Sequence, residues 1–395
     1  MDVIKIFKSS NVYETLILLG LMFILILYGF ADLTTYLGLL FMLIGGIWLA
    51  KKEGFNVFRN YIQWPIIVLF LFATISLLYV SNYRKASNEL GSLLEIFVPF
   101  FITFYIVRKK KKINKFMLFS LLSGSSIIVI YAFYEYFALG LRRVGSLVEN
   151  ANILGVYMVF VLPFIFINLI SNPNKKIKLI MAILFVLHFA ALLFSGSRAA
   201  FLGVIVSFLF IIINKRNKIY FILLIILLII PLFLPFNIYD RLYDSFQSFL
   251  SGTGDQRIYI WKNALDMFRL RPLTGVGIGQ YPVYYKIYED APVKYRIYNH
   301  AHNIYLHILA ELGLIGLCIF LWLIYKIIKF TIINYNNIKN DVVLFALLAS
   351  LIGFMIQELF EFSITDSGGT TLLVGIMLGW YIGLLSANEN NDQIA

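Results

Sequence analysis

Apolar runs of helical length recur along this chain, separated by short polar breaks. They lie near 12–29, 33–50, 61–80, 91–107, 116–139, 151–170, 179–194, 199–213, 219–236, 302–325, 342–360 and 371–386. Two of them, 61–80 and 219–236, contain no Asp, Glu, Lys or Arg. A bilayer's hydrocarbon core takes about 20 such residues per helix, and within it only helices and closed barrels satisfy their own backbone. The pattern predicts an all-α integral membrane protein of about twelve transmembrane helices, a single polytopic domain over 1–395. Composition agrees, since only 14% of the 395 residues are charged against ~25% in soluble domains. Lys5 and Lys8 precede the first run and no small-residue cleavage site follows it, so it reads as a retained helix rather than a signal peptide. The single cysteine, Cys318, excludes an intrachain disulfide framework or thiolate metal site.

Basic residues set the expected orientation. With the N-terminus in the cytoplasm, the inner ends of the spans collect 20 Lys and Arg and the short outer breaks 5. The long outer segment 237–301 holds eight more, but long loops do not weigh in the positive-inside rule. Both termini are therefore expected inside, and the net charge of +12 is mainly an orientation signal. The run Arg108–Lys112 needs only anionic headgroups, so no nucleic acid partner is expected. The two cations are also sorted: 17 of 21 Lys lie inside, whereas 9 of 12 Arg lie outside. Orientation alone does not favour guanidinium. Arginine offers a rigid fork of donors matched to phosphate, which points to a phosphate or pyrophosphate ligand at the outer boundary. Snorkelling of single arginines is the plainer alternative.

The external segment 237–301 is where one large loop carries structure of its own. Asp255–Arg269 reads as a helix with an apolar stripe at Ile258, Trp261, Leu265 and Phe268, lying on the membrane surface or capping the bundle. Arg271-Pro272 ends it, and Gly275-Val-Gly277-Ile-Gly279 makes a flexible turn that lacks the third glycine of a dinucleotide loop. Tyr281, Tyr284, Tyr285 and Trp261 could stack on sugar rings or belong to an interfacial belt. Three histidines follow: His300, His302 and His307. On a helix, 302 and 307 are separated by about 140°, no Asp or Cys accompanies them, and Glu311 falls near the opposite face. A metal site is not expected from that spacing. A lone histidine suits general-base work near neutrality, although one at a helix start can equally be satisfied by neighbouring backbone. Ser195-Gly-Ser197-Arg198 lacks the frame of a nucleophile elbow and instead places one arginine at the outer mouth of the bundle. Arg142 and Arg143 precede Asn150 and Asn152 at another outer end, and Glu135, Glu358 and Glu361 lie near outer helix ends where they could partner arginines or be solvated.

Four of these motifs together resemble the O-antigen ligase and O-antigen polymerase superfamily of bacterial membrane glycosyltransferases. His302-Asn303, nine residues, then Gly313-Leu-Ile-Gly316 fits its His-Asn-x9-Gly-x-x-Gly pattern without a gap. Arg257-x-x-x-Trp261 leading to Pro272 and Gly275–Gly279 resembles the stretch before that histidine, and Ser195–Arg198 the family's arginine at the start of a span. Arg143-Val-Gly145 with Asn150-Ala-Asn152 resembles its Arg-x-x-Gly...Asn-Pro-Asn segment, with Ala151 where proline is usual. The resemblance implies a C-type glycosyltransferase fold, a glycan donor on undecaprenyl pyrophosphate, and no need for a metal, nucleotide sugar or other cofactor. It implies His302 as general base and pyrophosphate held by Arg198 and Arg257, helped by Arg142 or Arg143. Asn303, Asn152, Trp261 and Glu358 would support them. The site would lie on the outer side of the bacterial cytoplasmic membrane, and the acceptor would be lipid A core, another envelope acceptor or a second lipid-linked repeat unit. The motifs do not separate ligase from polymerase or fix an oligomeric state. A lipid-linked glycan flippase or polysaccharide transporter is the alternative, against which stand the single large loop and the lack of an internal repeat.

Overall fold

The computed structural model describes residues 10–29, 32–110, 112–215, 257–286, 298–364 and 368–392, with a few isolated positions besides. All regular structure among them is helical. In chain order the helices are α1 (Val12–Ile26), α2 (Asp32–Glu53), α3 (Gln63–Ile75), α4 (Tyr83–Lys109), α5 (Ile113–Phe137), α6 (Ala151–Ser171) and α7 (Lys175–Ser195). There follow α8 (Arg198–Lys215), α9 (Arg257–Leu270), α10 (Tyr281–Tyr284), α11 (Ile304–Ile333), α12 (Tyr335–Asn340), α13 (Val342–Gln357) and α14 (Gly368–Asp392). Eleven of the twelve apolar runs are thus helices; the run 219–236, apart from Phe221 and Ile225, lies outside the described residues, as does the start of the external segment. Among the described residues, eight helices are long and apolar enough to cross a membrane, and α1, α3 with its 3₁₀ continuation to Tyr79, and α13 are shorter apolar helices.

Helix α6 is the core of the bundle. Every residue from Ile153 to Ile167 is buried, because α6 packs against α7, α8 and α13. Lipid offers no hydrophobic drive for such packing, so small residues that let backbones approach carry it. Gly375, Gly379 and Gly383 form a stripe on α14 against α4, where an added Cβ would come within 2.2–2.8 Å of the Ile96, Phe100 and Phe104 carbonyl oxygens. Gly203 of α8 meets Gly353 of α13 in the same way.

The two ends of the bundle differ chemically. At one end Lys109 and Lys110 pair with Glu14, and Lys109 also with Glu53, joining α1, α2 and α4. At the other end, loops converge around residues 76–82, 143–152, 195–198, 275–281, 298–303 and 358–363.

The glycine loop after α9 closes onto a break in α11. Gly313 has φ +63°, outside the helical region, and an added Cβ would stand 2.5 Å from the Leu273 backbone. Across this break Val276 N–H donates to Ala310 O, Gly277 N–H to Glu311 O, and Leu314 N–H to Pro272 O, all within 3.0 Å. The glycines of 275–279 and 313 are therefore a backbone-to-backbone seam. The expected helix near 255–269 is α9, but with a different face inward. Ile260, Asn263, Ala264 and Met267 are buried, whereas Ile258 and Leu265 of the apolar stripe are 55% and 38% exposed. An apolar stripe turned away from the protein suits a helix at a lipid surface.

Candidate active site

His302 sits in the turn that starts α11. Its backbone has φ +46°, a left-handed conformation that non-glycine residues adopt rarely and mostly where surrounding structure fixes them. Two contacts of Asn303 do that here. Its side-chain oxygen caps α11 by accepting Leu306 N–H at 3.0 Å, and its amide donates to Leu359 O at 2.9 Å. Ile304 N–H donates to Glu358 O, so the His302 turn is stitched to the turn that follows α13.

That second turn carries the partner of the histidine. Nδ1 of His302 lies 2.5 Å from Glu361 Oε1. An ionised carboxylate only accepts, so Nδ1 carries the proton and Nε2 is left with its lone pair. Nε2 has no partner among the described residues. Glu361 is 4% exposed, and its other oxygen accepts the Asn152 amide at 2.8 Å. Asn152 in turn accepts Arg143 Nη2 at 2.6 Å, and Arg143 Nε donates to Ser195 O at 3.3 Å. One chain of hydrogen bonds thus runs from Ser195 through Arg143, Asn152 and Glu361 to His302, crossing separate segments of the sequence. Asn150 caps α6 by accepting Asn152 N–H and Ile153 N–H. Ala151 therefore occupies the first helical position, where proline is favoured but not required.

The arginines join this chain electrostatically. Burial alone would raise the Glu361 pKa, but the His302 hydrogen bond and neighbouring groups that include the Arg257 guanidinium outweigh it and hold the carboxyl below its ordinary value. Arg143 is drawn below the ordinary arginine value by partial desolvation and by repulsion from Arg198, against the attraction of Glu361. His302, Glu361, Arg143, Arg198 and Arg257 therefore share one neighbourhood. Arg198 and Arg257 are half-buried at the starts of α8 and α9, and the Arg257 guanidinium also lies 5.9 Å from the Phe360 ring centre.

The remaining candidates are placed differently. Arg142 is exposed beside Arg143. Trp261 is half-buried on α9, with its indole N–H lacking a protein partner among the described residues. Glu358 is fully buried, and its carboxylate accepts Ser363 N–H at 3.1 Å and the Ser363 hydroxyl. It shapes the 358–363 turn, whereas Glu361, three residues on, reaches the histidine. Tyr281 is fully buried and donates its hydroxyl to Ile260 O, so it holds α9 rather than offering a ring to sugar. Tyr298 presents an edge-on ring 5.5 Å from His302. The pairing of Glu361 with His302 had no local signal, since 59 residues separate them.

His300, His302 and Glu361 also offer ligand atoms within 4.8 Å of one another. Two ligands of one tetrahedral zinc stand about 3.3–3.5 Å apart, given bonds of ~2.0–2.2 Å. The His302–Glu361 separation of 2.5 Å is a direct hydrogen bond and leaves no room for an ion between them.

Residues 183–321, which contain Arg198, Arg257, His302 and the Gly313 seam, match the family model described as O-antigen ligase. Two curated proteins named "Putative polysaccharide ligase" are similar over most of the chain. The one from Rickettsia felis is 24% identical over 316 residues, covering 75% of this chain and 76% of its own. The one from Rickettsia bellii is 26% identical over 306 residues, covering 72% of each. With the membrane-length helices and the motifs gathered at one end of them, these matches support a likeness to the O-antigen ligase superfamily.

Proposed function

We propose that the chain is a membrane glycosyltransferase that moves a glycan from undecaprenyl pyrophosphate to an acceptor hydroxyl. His302 Nε2 takes the proton of that hydroxyl as its oxygen attacks the anomeric carbon. The bond from that carbon to the pyrophosphate breaks on the opposite face, so the configuration inverts. The leaving undecaprenyl pyrophosphate keeps the electron pair, and Arg198, Arg257 and Arg143 neutralise the charge that builds on it. Stabilising charge where it develops is usually what lowers such a barrier most. Arg142, exposed beside Arg143, helps to hold the donor's pyrophosphate. Glu361 is a positioning residue: it fixes the tautomer of His302 and stabilises the imidazolium formed during transfer. The bond between the sugar and its pyrophosphate leaving group supplies the driving force, and no metal takes part in the step.

One observation carries this reading. The imidazole Nδ1 is held by a buried carboxylate at 2.5 Å, and the groups that tune that carboxylate include Arg257 and, through Asn152, Arg143. A base and guanidinium groups at one mouth of a bundle suit transfer from a lipid diphosphate. In this reading the arginine-rich mouth faces outward from the cytoplasmic membrane, with both termini inside.

The test is glycan profiling of a strain that lacks the chain and carries it back on a plasmid. The wild-type copy is expected to restore surface glycan, and His302→Ala to fail while inserting normally. Single repeats in the empty strain assign polymerase, and unattached long chains assign ligase. Full restoration by His302→Ala would remove that residue from the mechanism.

A further inference from the structure

The helix headed by the His302 turn carries a buried acid of its own. Glu311 of α11 is 2% exposed, and each of its carboxylate oxygens accepts one backbone N–H of the glycine loop. Oε2 takes that of Gly279 and Oε1 that of Tyr281, both at 2.7 Å. Tyr281 is fully buried, and its hydroxyl donates at 2.7 Å to Ile260 O in the first turn of α9. Arg257 opens that turn. A short path of hydrogen bonds therefore leads from the histidine's helix to the arginine's helix.

We propose that Glu311 and Tyr281 are positioning residues that set the place of the Arg257 guanidinium relative to His302. The inference rests on the reading of Arg257 as a ligand of the donor's pyrophosphate.

Residue type is the first argument. An ionised carboxylate offers two acceptor oxygens, and its bonds to N–H groups are short and charge-assisted. Here both oxygens grip N–H groups two residues apart, so the fork fixes the direction of the loop as well as its distance. A glutamine would keep one acceptor and turn its NH2 toward the second N–H, and an aspartate would fall a methylene short. A buried carboxylate is costly unless it is well hydrogen-bonded, and His307, one turn earlier on α11, adds to its surroundings. The His307 Nε2 donates to Glu89 Oε1 of α4 at 3.1 Å and stands 3.5 Å from Glu311 Oε2.

Division of labour is the second. The backbone bonds of the seam, Val276 N–H to Ala310 O and Leu314 N–H to Pro272 O, hold the chain just after α9. Gln280 ties the same loop to Ser81 and Asn82, its side-chain oxygen accepting both of their backbone N–H groups. The Glu311–Tyr281 path reaches the opposite end of α9, the turn at Arg257. Weakening it loosens that turn while the seam and Gln280 keep the loop folded.

The test uses the full chain in lipid nanodiscs with a polyprenyl-pyrophosphate-linked glycan and a hydroxyl acceptor. Two variants are compared with wild type: Glu311→Gln, and Tyr281→Phe, which removes one hydroxyl and keeps the buried ring. A second readout is the distance between spin labels on the native Cys318, exposed on α11, and on Ile258→Cys, exposed in the first turn of α9. Glu311→Gln is expected to lower kcat/KM for the donor by about 10²-fold, the loss a displacement near 1 Å can bring. Tyr281→Phe is expected to lower it in the same direction, and both to broaden the distance distribution. Made on top of Arg257→Lys, either change is expected to cost little more, because it acts through that arginine. Wild-type kcat/KM or an unchanged distance distribution in both variants would overturn the proposal. So would a loss that adds in full to that of Arg257→Lys, as a general structural weakening would produce. Wild-type protein that turns over no such donor would sink the proposed reaction instead, and the label distances would still decide whether Glu311 and Tyr281 hold the first turn of α9.

Discussion

A histidine at the head of a helix is an ordinary residue until its partners are known. Here Glu361 takes Nδ1 and is itself held by Asn152, and in the proposed mechanism that arrangement makes the imidazole a directed base. Replacing His302 with Ala is expected to lower turnover by about 10²–10⁴-fold, the usual range for general-base catalysis. Glu361→Gln keeps the shape but lets the wrong tautomer form. Its loss of turnover is expected to be large and, combined with His302→Ala, far from additive, because the two act as one unit; additive losses would separate them. Arg198→Lys retains charge and loses the fork, so donor turnover measured on purified protein is expected to fall strongly, and a wild-type rate would reduce Arg198 to a membrane anchor. The low pKa of Glu361 also fixes a pH effect. The folded carboxyl holds its proton less tightly than the unfolded one, so stability falls as pH drops from the unfolded value of ~4.3 through the folded value. Unfolding midpoints measured across that window are expected to fall less steeply in Glu361→Gln. At this scale the sequence marks His302, Asn303 and the arginines through their motifs. It does not mark the acid that matters, because Glu358 and Glu361 are both carboxylates at one helix end and only the turn decides which one faces the histidine.

Among the elements, the spans were readable because a bilayer demands long uninterrupted apolar runs, and eleven of them are helices in the described residues. The inward face of α9 was not readable. Ile258 and Leu265 of its apolar stripe are turned outward, and its buried face includes Asn263, whose amide donates to Lys286 O and whose oxygen accepts Lys286 N–H. Periodicity finds an apolar face but cannot tell protein from lipid as the medium that covers it. The glycine motifs had a similar ambiguity. Gly275–Gly279 and Gly313 look like loops for a ligand, yet they form a seam between the loop and a broken helix. Gly313→Ala meets both a positive φ and the Leu273 backbone at 2.5 Å. It is expected to destabilise the protein by about 1–3 kcal/mol, read as a lower thermal midpoint; an unchanged midpoint would mean that the seam yields easily.

For the whole molecule, the sorting of cations is the pattern that ties sequence to site. Lysines gather at the Glu14–Glu53 end, and Arg143, Arg198 and Arg257 at the other end with His302. If the arginine end faces outward, a single cysteine introduced at Arg142 in a Cys318→Ser background is expected to react with a membrane-impermeant thiol reagent in intact cells, and one at Lys51 only after lysis. The reverse pattern would invert the topology and turn the site toward the cytosol. The proposed orientation rests on counting charges alone, while the convergence of distant segments at one mouth needed the fold. The most direct measurement gives purified wild-type chain and its His302→Ala and Arg198→Ala variants a polyprenyl-pyrophosphate-linked glycan with a hydroxyl acceptor, and follows both products. Wild-type protein is expected to release polyprenyl pyrophosphate and form an inverted glycosidic bond in equal amounts, and both variants to form neither at a comparable rate. Undiminished bond formation by His302→Ala, or retained anomeric configuration in the wild-type product, would contradict a single displacement driven by that base.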